Sequence, residues 1–264
     1  MGAVLVGTSH GTDDPAGQAA VRALLDGVRT ARPELDVREA FVDVQQPEVG
    51  EVLAAAVRDT GSAVVVPLLL STGYHVQHDI AQAVAAVAGA GSADAPGGAA
   101  GGSAGRPAAV AAEPLGPHPL LVEILADRYA AAEAEHGPFR PDDAVVLAAA
   151  GSSVAAAATA VEEVASALAQ RLGRVVTPSY GAGAEPRVPA AVAAAREAAA
   201  RTNGTGAARV IVVSYLLAPG YFLDRVLEAG ADVVTDPVAG TAGAEKADPR
   251  LVQVVLDRYD AAVR

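Results

Sequence analysis

The sequence predicts an α/β fold of two similar domains, each a small parallel sheet flanked by helices. Short runs of Val, Leu and Ile alternate with alanine-rich stretches of helical length, a pattern typical of strands joined by crossover helices. The second half also repeats the first, because "VVVPLLLSTGYHV" at 64–76 returns as "IVVSYLLAPGYFL" at 211–223. Likewise "HPLLVEILADRY" at 118–129 returns as "DPRLVQVVLDRY" at 248–259, which indicates an internal duplication.

The elements of the first half follow from these runs in chain order. Strands are predicted at 3–8, 35–42, 63–70 and 108–113. Helices are predicted at 15–32, 47–58, 76–88 and 118–135. Asp14 is suited to cap the first helix, because its carboxylate can accept from the first backbone N–H groups and Pro15 fits the first helical position.

Two stretches of distinctive composition interrupt the pattern. "HGPFRPDD" at 136–143 separates a predicted N-terminal domain at 1–137 from a degenerate C-terminal repeat at 138–264. The stretch 89–107, "GAGSADAPGGAAGGSAGRP", has almost no bulky side chain and cannot bury enough apolar surface to offset its ordering entropy. We therefore predict a flexible insertion there, within the first domain.

Composition excludes several classes of function. A net charge of -12 and 3% aromatic residues argue against binding to nucleic acid or to an anionic membrane surface. The absence of cysteine excludes disulfides, thiolate metal sites and cysteine nucleophiles. No apolar run reaches the roughly 20 residues of a membrane span, and the start of the sequence lacks the basic region of a signal peptide. We therefore expect a cytoplasmic protein.

Three side chains that suit metal chemistry follow successive predicted strands. His10 ends the first strand, Asp43 follows the second, and His75 follows the third. Because the carboxyl ends of parallel strands meet at one edge of a sheet, we expect these groups to share a cleft. Two imidazoles and a carboxylate suit a divalent first-row metal. In the repeat, Ala150 and Phe222 stand in place of the histidines, which favours one active site in the first half over a purely structural role in both.

The remaining histidines have simpler explanations. His78 and Asp79 share a helix face with His75, but a solvated helix start is favoured over a surface metal site there. His118 stands at a helix start and matches Asp248 in the repeat, so capping explains both residues. His136 lies between the two domains, where no special role is expected.

A serine hydrolase is a remote alternative. Gly7-Thr8-Ser9-His10-Gly11 fits the G-x-S-x-G pattern of a nucleophile elbow. An elbow requires a helix directly after the serine, yet "HGTDDP" delays it, and only a short segment precedes the motif. Neither G-x-G-x-x-G nor a Walker A sequence follows a strand, so dinucleotide and P-loop functions have no support.

The residues around this predicted rim resemble a known family. An H-G strand end near the N-terminus, the acidic residue in "AFVDVQQP", the segment "VVVPLLLSTGYHV" and "PLGPHP" are similar to the class II sirohydrochlorin chelatases. These include the cobalt chelatases of cobalamin synthesis and the ferrochelatases of sirohaem synthesis. The resemblance covers almost the whole chain, since long members are tandem duplications, and it implies two chelatase-like domains in a monomer.

The resemblance implies insertion of a divalent metal into sirohydrochlorin without an organic cofactor. His10 and His75 match the metal-binding and catalytic histidines, and Asp43 falls where family members usually carry a glutamate. Fe2+ is favoured over Co2+, because an alanine-rich chain suggests a high-GC bacterium, in which aerobic cobalamin synthesis uses another chelatase. A non-catalytic metal or tetrapyrrole carrier is the alternative. Residues expected to bind the substrate are Ser9, Gly11, Thr12, Ser71, Thr72, Gly73 and Tyr74.

Overall fold

Two four-stranded parallel sheets form the framework of the chain. The computed structural model describes residues 2–71, 73–90, 107–203, 208–240 and 246–264. The elements of the first half are β1 (Val4–Ser9), α1 (Pro15–Ala31), β2 (Val37–Phe41), α2 (Val49–Thr60), β3 (Ala63–Pro67), α3 (Tyr74–Ala90), β4 (Ala109–Ala111) and α4 (Pro119–His136). Those of the second half are β5 (Ala144–Ala149), α5 (Ala155–Leu172), β6 (Val176–Tyr180), α6 (Val188–Asn203), β7 (Val210–Tyr215), α7 (Tyr221–Leu227), β8 (Val233–Val234) and α8 (Pro249–Ala262).

The two sheets have the same topology, which confirms the predicted fold class. Their strand orders are β2-β1-β3-β4 and β6-β5-β7-β8, with every neighbouring pair parallel. The central strands β1, β3 and β7 are buried along their whole length, and β5 is buried after its first residue, as expected of parallel sheets covered by helices on both faces. The predicted insertion at 89–107 falls mostly on residues 91–106, outside the described residues.

Helix boundaries differ from the predicted ones by a few residues, and two differences matter for the site. α2 begins at Val49 rather than at 47, because the Pro47 carbonyl accepts from the backbone N–H of Phe41 at 3.0 Å and extends the strand edge. α3 begins at Tyr74 rather than at 76, so residue 75 lies in its first turn. Asp14 caps α1 as predicted, accepting from the backbone N–H of Ala16 at 2.7 Å.

The last helix of each half packs against the sheet of the other half. α8 contacts β3 and α1 of the first half, whereas α4 contacts β7, β8 and α5 of the second half. Apolar side chains of α1, α4, α5 and α8 therefore form one continuous core between the two sheets. The outer faces are closed separately, by α2 and α3 on the first sheet and by α6 and α7 on the second. The packing thus crosses the domain boundary that the sequence predicts near residue 137, and that boundary stays a prediction.

Equivalent arginines on α4 and α8 bind each of these helices to the opposite half. The guanidinium of Arg128 on α4 donates to the carbonyl of Val238 at 3.2 Å, after the last strand of the second sheet. Arg258 on α8 donates to the carbonyls of Leu115 and Pro117 at 3.0 and 2.7 Å, after the last strand of the first sheet. Each half therefore holds the other by the same residue of the repeated "DRY" sequence.

The N-termini of α4 and α8 carry the predicted caps. His118 Nδ1 accepts from the backbone N–H of Leu120 at 3.2 Å, and Asp248 accepts from that of Arg250 at 2.9 Å. Burial and the nearby Arg258 hold the pKa of His118 below its usual range, although Asp257 acts in the opposite direction. The ring is therefore neutral near pH 7, as an accepting Nδ1 requires. The capping role predicted for His118 is confirmed.

No helix among the described residues is long and apolar enough to cross a membrane.

Candidate active site

The carboxyl edges of the two sheets face each other. A Cβ atom built on Gly220, in the loop after β7, would lie 3.2 Å from Thr12 Oγ1 in the loop after β1. A Cβ atom built on Gly73, before α3, would lie 3.7 Å from the hydroxyl oxygen of Ser152, after β5. The loops that carry the predicted site residues are therefore opposed by loops of the second half. Ligands bind at this edge in open parallel sheets.

A buried tyrosine links the two edges. The Tyr215 hydroxyl, at the end of β7, donates to the carbonyl of Leu70 at 3.2 Å in the loop between β3 and α3. Burial raises the pKa of Tyr215, so this hydroxyl stays protonated and can donate at any physiological pH. Leu68 occupies the equivalent position in the first half and has no hydroxyl, so it cannot make the reciprocal hydrogen bond to the second half. The second half thus helps to position the loop that leads to His75.

The structure brings His10 and Asp43 together. The backbone N–H of Val42 donates to the Ser9 carbonyl at 3.0 Å, and that of Asp43 donates to the His10 carbonyl at 3.1 Å. The parallel hydrogen bonding of β1 and β2 therefore continues past both strands and sets the two residues side by side. Both are exposed, and the Asp43 carboxylate accepts from the backbone N–H of Val44 at 2.8 Å.

Gly11 allows this close approach. Its φ is 94°, and a Cβ atom built on it would lie 2.5 Å from the Asp43 carbonyl oxygen. L residues with a side chain rarely adopt that backbone conformation, and the space for a Cβ is already occupied. The role of Gly11 in the structure is therefore to let the loop after β1 touch the loop after β2. Its predicted part in substrate binding remains a prediction.

Two glutamines that no sequence motif singles out hold the loop after His10. Gln45 accepts from the backbone N–H of Thr12 at 3.0 Å, and Gln18 donates to the Thr12 carbonyl at 2.8 Å. The Thr12 hydroxyl also accepts from the backbone N–H of Asp14 at 3.1 Å. These hydrogen bonds define the conformation of the loop without a bound ligand. The N–H of Thr12 is already bonded, so a substrate role for Thr12 would use its hydroxyl.

The other predicted residues lie on the same edge. The backbone of His75 is in the first turn of α3, while its side chain and those of Tyr74 and Val76 fall outside what the structure describes. Thr72 is also outside the described residues, and Ser71 is half-buried beside it. The roles of these residues stay predictions.

In the second half, the counterpart of residue 75 is Phe222, in the first turn of α7. A Cβ atom built on Gly181 would lie 2.8 Å from the Phe222 ring and 3.2 Å from the Ala150 carbonyl oxygen. Phe222 therefore packs on the ends of β5 and β6, where Ala150 and Ala182 stand in place of His10 and Asp43.

The two copies share the backbone conformation of the site but not its polar side chains. Gly151 has a φ of 86°, close to that of Gly11, and cis peptide bonds precede Pro47 and Pro186 at matching positions. The second copy thus keeps the loops but replaces every predicted metal ligand by an apolar residue. This is the pattern expected when one copy performs the chemistry and the other supplies the opposite wall.

Two alternatives from the sequence find no support in the geometry. Ser9 is 6% exposed at the end of β1, and α1 begins only at Pro15, so a nucleophile elbow is not formed. The Nε2 atom of His78 is 2.8 Å from the side-chain nitrogen of Gln82, as on a solvated helix face. Within the part of the chain that the structure describes, no three His, Asp or Glu side chains converge on a common point.

A sequence profile of the CbiX family matches the chain twice, over residues 4–132 and 144–262. The chain belongs to the CbiX family. The two matches fall on the two halves, and the predicted relationship to the sirohydrochlorin chelatases, in their long tandem form, is confirmed. A direct comparison with curated proteins gave no match.

Solved structures with a similar fold include chelatases of this type. SirB from Bacillus subtilis with Fe3+ is 19% identical with a TM-score of 0.73, over 100% of this chain and 96% of that chain. SirB from Bacillus subtilis subspecies spizizenii in complex with cobalt is 17% identical with a TM-score of 0.71 over the same shares. CbiX, described as the terminal enzyme of siroheme biosynthesis in denitrifying bacteria, is 20% identical with a TM-score of 0.62, over 96% of this chain and 98% of that chain. These structures confirm the fold, and membership of the CbiX family confirms the predicted enzyme class, a chelatase-type lyase.

The second half also carries cationic side chains near the edge where the two sheets face each other, called here the shared edge. Arg187 follows β6 in the loop equivalent to that of Asp43, and it donates to the Gly181 carbonyl at 2.9 Å. Arg225 lies on α7 with its guanidinium carbon 5.5 Å from the centre of the Tyr221 ring. Both are exposed and paired with an acidic neighbour on the surface, an arrangement that contributes little stability and can exchange partners.

Replacing Gly11 by alanine is expected to destabilise the CbiX-family chain by about 2 kcal/mol or more, because the new methyl meets the Asp43 carbonyl at an unfavourable φ. Gly50 provides a matched control: it lies in α2 with open space around it, so its replacement by alanine should stabilise by about 0.5–1 kcal/mol. Urea denaturation of both variants measures the difference. Equal stability of the two variants would contradict the role assigned to Gly11.

Proposed function

We propose that this chain is a sirohydrochlorin chelatase that inserts a divalent metal into the macrocycle in the first half's site. The observation that supports it most is the adjacency of His10 and Asp43 on the edge that faces the second half, where Ala150 and Ala182 occupy the equivalent places. Membership of the CbiX family points to the same activity. No step of the reaction requires an organic cofactor, since insertion exchanges two protons for one metal ion.

His10 and His75 would hold the metal ion beside the macrocycle and accept the two pyrrole protons. Imidazole suits both tasks, because it binds first-row metals when neutral and titrates near neutral pH. Asp43 would add a negative charge next to His10, which favours the approach of a cation. Its carboxylate is held in place by the backbone N–H of Val44 at 2.8 Å, so little reorganisation is needed when the metal arrives.

The carboxylates of sirohydrochlorin require positive partners on a chain whose net charge is -12. Arg187 and Arg225, on the second half's edge, would supply them by exchanging their acidic neighbours Glu185 and Glu228 for the substrate. This gives the second half a binding role while the first half performs the chemistry. One chain then provides both walls of the site, so we propose that it acts as a monomer in the cytoplasm.

We propose Fe2+ as the favoured metal and Co2+ as an accepted one. Imidazole and carboxylate ligands do not discriminate strongly between these ions, and affinity order follows the metal more than the site. SirB from Bacillus subtilis has been solved both with Fe3+ and with cobalt. A role in sirohaem synthesis follows if iron is inserted, and one in cobalamin synthesis if cobalt is.

Incubation of the purified chain with sirohydrochlorin and either metal, under anaerobic conditions, tests the proposal through the change in macrocycle absorbance. We expect insertion about 10²-fold or more above the rate without protein, the range that positioned acid–base groups supply. Binding of the macrocycle without faster insertion would instead favour the carrier. Hydrolysis of an ester substrate that is lost in Ser9→Ala, with no metal insertion, would favour the hydrolase.

A further inference from the structure

Val44 is an exposed valine in a backbone conformation that valine rarely adopts. Its φ is 55°, and among the described residues it is the one non-glycine with a positive φ. Its counterpart in the second half is Gly183, with a φ of 71°. A β-branched residue in this region is strained, and such strain collects at functional sites where the surroundings enforce it. The first half therefore keeps a valine where glycine would fit without strain.

The valine makes no contribution to the core that would explain its retention. It is 49% exposed, and among the described residues Val42, two positions earlier, packs against the core of the first sheet while Val44 does not. The turn around it is fixed instead by polar groups. The Asp43 carboxylate accepts from the backbone N–H of Val44, and the Gln45 side chain accepts from that of Thr12 at 3.0 Å. The backbone strain thus holds one isopropyl group at a defined place on the edge.

That place is beside the proposed metal ligands. A Cβ atom built on Gly11 would lie 3.1 Å from the Cβ of Val44, so the isopropyl group neighbours the His10–Gly11 backbone directly. An exposed apolar side chain in a polar site indicates contact with an apolar surface of a ligand. A tetrapyrrole offers one, because its ring faces are flat and apolar while its carboxylates lie at the periphery.

We propose that Val44 contacts the face of the macrocycle and holds it over the metal bound by His10. This proposal rests on the proposed chelatase function. It assigns the apolar part of substrate recognition to the first half and the ionic part to the arginines of the second. The strain in the turn is tolerated because the substrate contact needs a side chain at this point.

Replacing Val44 by glycine separates binding from folding, because the two effects have opposite signs. The melting temperature should equal or exceed that of the wild type, since glycine adopts this φ without strain. The dissociation constant for metal-free sirohydrochlorin, measured by titration of its fluorescence, should rise about 5- to 10-fold through the loss of apolar contact. Val44→Ile should bind as tightly as the wild type or more tightly. Val175→Ala, at an 83% exposed valine before β6, is the control and should leave the dissociation constant unchanged.

The outcomes distinguish this proposal from the one on which it rests. If the wild type neither binds sirohydrochlorin nor inserts metal, the proposed function fails. If the wild type does both and Val44→Gly binds sirohydrochlorin as tightly, the assignment of Val44 alone is overturned. A weaker affinity that comes with a melting temperature several degrees lower also overturns it, because the valine would then act through folding. Val44→Ala, which keeps a Cβ atom at this positive φ and loses most of the contact, should weaken binding as well.

Discussion

The His10→Ala variant is expected to insert metal about 10²- to 10³-fold more slowly than the wild type. The imidazole is both a proposed metal ligand and a proposed proton acceptor, and removal of a group with two such roles costs at least as much as loss of a general base. The fold should be unaffected. Alanine is the residue at the equivalent position 150, where Gly151 keeps a φ of 86° like that of Gly11. Initial rates of insertion at saturating sirohydrochlorin measure the effect.

His136 supplies the matched control for loss of a histidine. It is exposed at the end of α4, away from the shared edge, and its replacement by alanine should leave the insertion rate unchanged. If His10→Ala kept the wild-type rate, the site proposed for the first half would be wrong. An equal loss of rate in both variants would point to a general effect of histidine removal and would contradict the assignment as well.

The Asp143→Asn variant is expected to lose about 3 kcal/mol of unfolding free energy, the largest effect on stability predicted for a single side chain. The carboxylate is completely buried and accepts from the backbone N–H groups of Arg209 at 2.7 Å and Arg140 at 2.8 Å. It also pairs with the Arg209 guanidinium at 3.1 Å. Asparagine keeps the shape but turns an N–H group toward one of these donors and leaves Arg209 without its counter-charge. Urea denaturation measures the loss, with the neighbouring exposed Asp142→Asn as a control near zero.

This effect should disappear in acid. Burial raises the pKa of Asp143, but hydrogen bonds from the backbone N–H groups of Arg209 and Arg140 and from the Arg209 guanidinium outweigh it, so the pKa lies below its usual range. A carboxyl whose pKa is lowered by folding stabilises the fold fully above its unfolded pKa and loses that contribution as the pH falls through the folded value. The difference between wild type and Asp143→Asn should be complete at neutral pH and shrink below about pH 4. A difference that does not change with pH would show that the carboxylate's charge is irrelevant.

Local patterns predicted the elements and the edge residues well, because strand runs and strand ends are local features. The alternation of apolar runs located all the strands of the first half, and the carboxyl-end rule selected His10 and Asp43 as edge residues. The repeat supplied the functional hypothesis. Because Ala150 and Phe222 replace the histidines in the second half, it predicts that His10 and His75 serve chemistry rather than the fold.

The packing of α4 and α8 against the sheet of the opposite half was not predictable from local patterns. An apolar helix face indicates only that the helix is buried, and not which sheet covers it. One signal was present: α4 buries neighbouring pairs such as Leu121 with Val122 and Ile124 with Leu125, so it is covered on more than one side. The strained turn at Val44 was missed for another reason. Backbone φ is not readable from a valine, although the glycine at the matching position 183 indicates it.

Titration of the chain with Co2+, followed by the ligand-field absorption, tests directly whether the first half alone builds one metal site. We expect one Co2+ per chain, with binding at least about 10-fold weaker in His10→Ala, the scale of a lost metal ligand or its support. Two equivalent ions per chain, or unchanged affinity in His10→Ala, would contradict it.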